Sequence, residues 1–168
     1  SRKGRKLLQG FDGKEASEED KERAKAITDS AALGISSVIE ADGLMEKLEK
    51  LTEAPFWDFL HEKCLGCGIC TYLCPTCHCF DMADEAFDLK GQRVRYWDSC
   101  LFPLFTLETS GHNPRPTGRE RIRQRIMHKF NYFFYTHKAI ACVGCGRCII
   151  HCPVNLDIRR VIDDIHRE

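Results

Sequence analysis

The chain has 168 residues, with 25 Lys and Arg against 25 Asp and Glu, and 43% of it is hydrophobic. That length suits one domain with an appended segment, and the even charge argues against a general nucleic-acid or acidic-membrane binder. No run approaches the ~18–20 apolar residues of a membrane span.

In chain order, the first residues show no secretory signal: Arg2, Lys3, Arg5 and Lys6 precede a polar stretch. From Lys14 to about Ala54 the sequence is charged and helix-prone, with Ser17 or Asp12 as N-cap. Ser17 followed by Asp20 is a capping box with the shorter acid in place of Glu. Leu44, Leu48 and Leu51 fall at helical spacing after Gly43 and predict a second amphipathic helix, which Pro55 ends. Phe56, Phe59 and Leu60 then give an apolar face leading into Cys64. Thr76 to Thr117 is the least regular stretch. Val94–Trp97 reads as a short extended piece with no identified partner, and the two prolines of His112–Pro116 require loop. Thr117 caps a helix running to about Thr136, striped by Ile122, Ile126, Phe130 and Phe133/Phe134. A last helix follows Pro153 and carries Ile158, Val161, Ile162 and Ile165. The expected division is a polar helical segment over 1–55 and a second domain over 56–168.

The composition departs from the ordinary in its eleven cysteines. Eight of them form a gapless internal repeat: Cys64-Leu-Gly-Cys-Gly-Ile-Cys-Thr-Tyr-Leu-Cys-Pro75 aligns with Cys142-Val-Gly-Cys-Gly-Arg-Cys-Ile-Ile-His-Cys-Pro153. A disulfide scaffold would be shorter and would spread its cysteines through loops. Structural zinc favours paired Cys-x2-Cys arms over three cysteines spaced by two. The repeat instead matches the Cys-x2-Cys-x2-Cys-x3-Cys-Pro run of [4Fe–4S] ligation. Three closely spaced thiolates wrap three corners of the cube. Gly66, Gly68, Gly144 and Gly146 let the backbone approach closely, and N–H groups of the turn can point at sulfur. Pro75 and Pro153 suit the first turn of a following helix.

In two-cluster ferredoxins the fourth cysteine ligates the other cluster. Applied here, one cluster takes Cys64, Cys67, Cys70 and Cys152, and the other takes Cys142, Cys145, Cys148 and Cys74. Roughly seventy residues separate the motifs and include a strong helical stripe. In this the chain resembles the α-helical ferredoxin domains found in the iron–sulfur subunits of fumarate reductase and of heterodisulfide reductase. The resemblance implies a mainly α fold, an α-helical ferredoxin-like dicluster domain with an N-terminal helical segment.

Cys74-Pro-Thr-Cys-His-Cys-Phe-Asp81, Tyr96-Trp-Asp-Ser-Cys100, Gly111-His-Asn-Pro-Arg-Pro116, Arg121–Arg125, His128-Lys129 and Cys145-Gly-Arg-Cys148 narrow the family further. From about Phe56 to Ile158 the chain resembles the iron–sulfur subunit of anaerobic sulfite reductase and the β-subunits of cytoplasmic sulfhydrogenases. These relatives are generally longer at the N-terminus. The resemblance implies a cytoplasmic electron-transfer subunit. Its partners would be a flavin- and NAD(P)-binding subunit and a separate catalytic oxidoreductase subunit of hydrogenase, sulfite reductase or heterodisulfide reductase type. No Gly-x-Gly-x-x-Gly fingerprint places a flavin or nicotinamide site on this chain.

Cys77, Cys79 and Cys100 remain. One reading is a third metal site completed by a histidine such as His78 or by another subunit, with chemistry of its own; the other is buried thiols packed beside the first cluster. Arg115, Arg119, Arg121, Arg123, Arg125 and Lys129 form a basic run, read as compensation for cluster charge or as a docking surface. Trp57, Tyr72, Trp97 and the Phe130–Tyr135 aromatics read as core and as shielding of the clusters. His61, His128, His137 and His151 lack metal-box spacing. Cluster-based catalysis would leave one iron without a cysteine, whereas each motif here offers a full set. A module that only braces a subunit interface is the structural alternative.

Overall fold

A computed structural model describes every residue except Asp12 and Ser37, so the N-cap expected at Asp12 lies outside the described residues. The chain forms two compact units, Ser1–Val38 and Ile39–Glu168. The first holds α1 (Arg2–Leu8) and α2 (Glu18–Leu33), neither of which buries a residue. Ser17 and Asp20 make the expected capping box on α2: Asp20 N–H donates to Ser17 Oγ at 3.2 Å, and Ser17 N–H donates to Asp20 Oδ2 at 2.9 Å.

The second unit is built on helices. Gly43 enters α3 (Leu44–Lys50) in the left-handed region, at φ +68°, and the helix buries Leu44 and Leu48. It lies before the boundary expected at residue 55, yet its leucines belong to this unit's core. Pro55 N-caps α4 (Phe56–Lys63), which turns Trp57 and Leu60 inward. Phe59, expected on the buried face, is 69% exposed. Trp57, expected in the core, fills this inward place, and its indole Nε1–H reaches the Leu51 carbonyl at 2.6 Å, which satisfies its one polar atom there.

The stretch expected to be irregular contains a β-hairpin. β1 (Phe80–Phe87) pairs antiparallel with β2 (Lys90–Trp97), in a register running from Phe80 opposite Trp97 to Phe87 opposite Lys90. Both strands are exposed along nearly their whole length, so no in–out hydrophobic alternation marks them. Asp98 N–H donates to the Cys79 carbonyl at 3.0 Å and closes the hairpin base.

Thr117 and Glu120 form a capping box on α6 (Gly118–Met127), which continues through a π-helical turn (His128–Tyr132) into α7 (Phe133–His137). Ile122, Ile126 and Phe130 are buried as the stripe predicts. The π turn inserts an extra residue and shifts the inward face, so Lys129 and Asn131 are buried beside Phe130. The final helix, α9 (Ile158–Arg167), is N-capped by Asp157 and buries Ile158, Val161, Ile162 and Ile165 along one face. These side chains, with Leu101, form a single core from α3, α4, α6 and α9. Each large apolar side chain buried there stabilises the fold by roughly 1.5–3 kcal/mol. Among the described residues, no helix is long and apolar enough to cross a membrane.

Candidate metal centre

The two cysteine motifs adopt the same local structure. α5 (Ile69–Tyr72) and α8 (Arg147–Ile150) are single turns entered through Gly68 and Gly146, at φ +75° and +71°. Their backbone bonds correspond one for one: Thr71 N–H to Gly68 O and Ile149 N–H to Gly146 O are both 2.9 Å. Cys77 N–H to Cys74 O and Asn155 N–H to Cys152 O are both 3.2 Å. After each fourth cysteine the chain thus makes a turn. Pro75 and Pro153 sit in these turns, and neither opens a helix as expected; α9 begins only at Ile158.

The structural demand on the glycines is conformational. Gly66, Gly68, Gly144 and Gly146 all have positive φ, where a side chain is strained. Gly68 adds a spatial demand, since a Cβ there would lie 2.8 Å from the Phe102 ring.

α5 packs against α8, and this brings the motifs together. One cavity is lined by Cys64, Cys67 and Cys70 of the first motif and by Cys148 and Cys152 of the second, together with Arg125. Gly66 N–H donates to Cys64 Sγ at 3.4 Å, and Leu156 N–H donates to Cys152 Sγ at 3.2 Å. Burial pushes the Cys70 thiol up, Arg125 opposes this, and Cys64, Cys148 and Cys67 add to it.

On the other side, Cys148 has Cys142 and Cys74 among its charged neighbours; burial raises its thiol, with Arg125 and Lys129 opposing. Lys129, only 5% exposed, donates from Nζ to Cys74 Sγ at 3.2 Å, Thr76 Oγ1 at 3.1 Å and the Ala141 carbonyl at 2.7 Å. The Cys74 thiol is drawn down to about 3, first by the Cys77 S–H donated to it, against burial, and then by Thr76 and Lys129. Cys145 is exposed.

Cys77, Cys79 and Cys100 come together around a second small cavity with His78, His128, Arg125 and Lys129. The hairpin base holds Cys79 and Cys100 near each other. Cys100 donates to Cys79, which lowers Cys79 and raises Cys100, and the bond to Cys74 together with burial raises Cys77. Among the described residues, no group of three or more His, Cys, Asp or Glu side chains is placed to hold a single metal ion.

Most of the basic run serves the fold. Arg119 meets Asp58 at 3.0 Å and the Glu53 and Ala54 carbonyls, Arg123 meets Glu53 and the Thr52 carbonyl, and Arg121 meets the Arg115 and Pro116 carbonyls. Arg125 is the exception: it is 4% exposed, and its Nε and Nη1 have no partner. A buried cation with orphaned donors, set among thiols, fits an anionic group bound there.

Residues 63–156 match the family described as the 4Fe-4S dicluster domain. The chain belongs to that family. It binds two [4Fe–4S] clusters, and bound clusters supply one-electron redox chemistry. Beyond the dicluster domain, the chain is similar to sulfhydrogenase 2 subunit beta of Pyrococcus furiosus, at 36% identity over 152 residues. That match covers 90% of this chain and 45% of the relative, so the chain spans a little under half of the relative's length. No solved structure matches it significantly.

Several participants were not singled out from the sequence. Thr71 and Ser99, both buried, join the first motif to the hairpin base through a 2.8 Å hydroxyl pair. Thr76 sits between Cys74 and the Ala141 carbonyl, at 3.1 and 2.8 Å. Their signal was only a polar residue beside a motif cysteine. Arg125 and Lys129 were visible only as two members of the basic run.

Proposed function

We propose that the chain is the electron-transfer subunit of an oxidoreductase complex. In this reading it accepts electrons one at a time from a reduced flavin on a nicotinamide-linked partner and passes them to a separate catalytic subunit. The observation that carries it is the pairing of motifs in space: Cys148 and Cys152 share a cavity with Cys64, Cys67 and Cys70, and Cys74 is among the neighbours of Cys148. This supports crossed ligation, with Cys64, Cys67, Cys70 and Cys152 on one cluster and Cys142, Cys145, Cys148 and Cys74 on the other. In this reading the helices around the two motifs form an α-helical ferredoxin-like dicluster domain, and the protein is cytoplasmic. The similarity to a sulfhydrogenase β-subunit favours a hydrogenase-type acceptor. With four cysteines available to each cluster, no iron is left open for substrate.

Cys77, Cys79 and Cys100 are taken as supporting thiols. Each lies beside another thiol, Cys79 by Cys100 and Cys77 by Cys74, to whose carbonyl the Cys77 N–H also donates. That placement favours a position beside the second set, where the sequence suggested the first.

The isolated, cluster-loaded chain is expected to show no turnover of hydrogen, sulfite, disulfides or nicotinamides. Adding flavin-bearing and catalytic subunits from a sulfhydrogenase-type complex should restore electron flow. Turnover by the pure chain would refute the carrier reading.

A further inference from the structure

Arg125 sits in the last turn of α6, beside the buried Ile122 and Ile126, where an apolar side chain would ordinarily be called for. Its neighbours Arg119, Arg121 and Arg123 find carboxylates or carbonyls, while its own Nε and Nη1 find none. A fold does not keep a buried cation unpaired unless something absent from the polypeptide balances it. The guanidinium lines the cavity that holds Cys64, Cys67 and Cys70 of one set and Cys148 of the other, and it also borders the separate cavity of Cys77, Cys79 and Cys100. Burial works against its charge, and Cys70 of one set and Cys148 of the other, then Cys77 and Cys100, support it.

We propose that Arg125 is the shared counter-ion of the two clusters, a positioning residue whose buried charge and unpartnered N–H donors serve both clusters and raise both reduction potentials. The proposal rests on the two-cluster reading above. An oxidised cluster with four thiolates carries about −2, and reduction adds one more negative charge. A fixed cation and N–H donors directed at sulfur favour the reduced state. The planar fork of arginine can serve two sides at once, which a point charge on a flexible stem does worse. Lys129 does not share this role: its three bonds, to Cys74, Thr76 and Ala141, tie it to one side.

The test is a potentiometric titration of the cluster-loaded chain, followed by electron paramagnetic resonance, for wild type, Arg125→Gln and Arg125→Lys. At the wild-type midpoint, Arg125→Gln should lower the reduced-to-oxidised ratio about tenfold at both clusters, a fall of about 59 mV for a one-electron couple. Arg125→Lys should recover part of the fall at both. A shift at one cluster only, or at neither, overturns the shared role. Should Arg125→Gln fail to hold its iron, retention by Arg125→Lys supports the charge argument, and equal loss from both variants overturns it. A failure of the two-cluster reading itself would show separately, as a wrong iron and sulfide count in the wild-type chain.

Discussion

Cys74→Ser is expected to disrupt the cluster associated with Cys142, Cys145 and Cys148, and to spare the cluster of the motif in which Cys74 itself lies. Cys152→Ser should do the reverse. The prediction follows from placement: Cys152 lines the cavity of the first motif, while Cys74 lies near Cys148 and is held there by Lys129 and Thr76. Ser at either position replaces a thiolate by a poor, largely protonated ligand, so the affected signal should be lost or strongly altered. The two single variants, reduced anaerobically and followed by electron paramagnetic resonance, separate the possibilities. If Cys74→Ser changes only the signal that also depends on Cys64, Cys67 and Cys70, ligation is local and the crossed assignment is wrong.

Removing iron should loosen the whole Ile39–Glu168 unit. Under crossed ligation each cluster ties the α5 region to the α8 region and closes a loop of roughly seventy to eighty residues. By analogy with a covalent cross-link, such a closure removes about 4–5 kcal/mol of unfolded-chain entropy. Total stability for a domain of this size is about 5–15 kcal/mol, so losing two closures consumes much of the margin. Arg125 makes the loss worse, because its buried cation is then left uncompensated. A chelator under reducing conditions should therefore lower the denaturation midpoint sharply and broaden the transition, as read by circular dichroism. An unchanged midpoint after complete iron loss would mean that the core of α3, α4, α6 and α9 holds the unit by itself, and that the clusters tie nothing together.

Strong periodicity made part of this architecture legible beforehand. Leu44 with Leu48, the Ile122–Ile126–Phe130 stripe and the four apolar residues of α9 are buried where their spacing put them. Capping residues located the starts of α2 and α6, because Ser17 and Thr117 each carry an acid three residues on. The hairpin was half visible. Val94–Trp97 is β-prone, but Phe80–Phe87 packs neither face against a core, so no alternation was selected there. Trp57 is buried as expected and Phe59 is not: hydrophobicity alone does not separate them, and only the Leu51 carbonyl decides which one the interior accepts. Spacing marks the eight motif cysteines as candidate ligands. The buried cations among them carried no such mark: Arg125 and Lys129 differ from Arg119, Arg121 and Arg123 only in which way the helix turns them. For Lys129 that direction depends on a π turn that no residue pattern announced.

The most direct test is an anaerobic redox titration of the purified chain, combined with iron, acid-labile sulfide and zinc analysis. The account predicts about eight iron and eight sulfide per chain, and reversible uptake of about two electrons, one per cluster. About twelve iron would overturn the assignment of Cys77, Cys79 and Cys100 as supporting thiols. Zinc in equivalent amounts, iron without labile sulfide, or clusters that cannot be reduced and reoxidised would contradict the central claim.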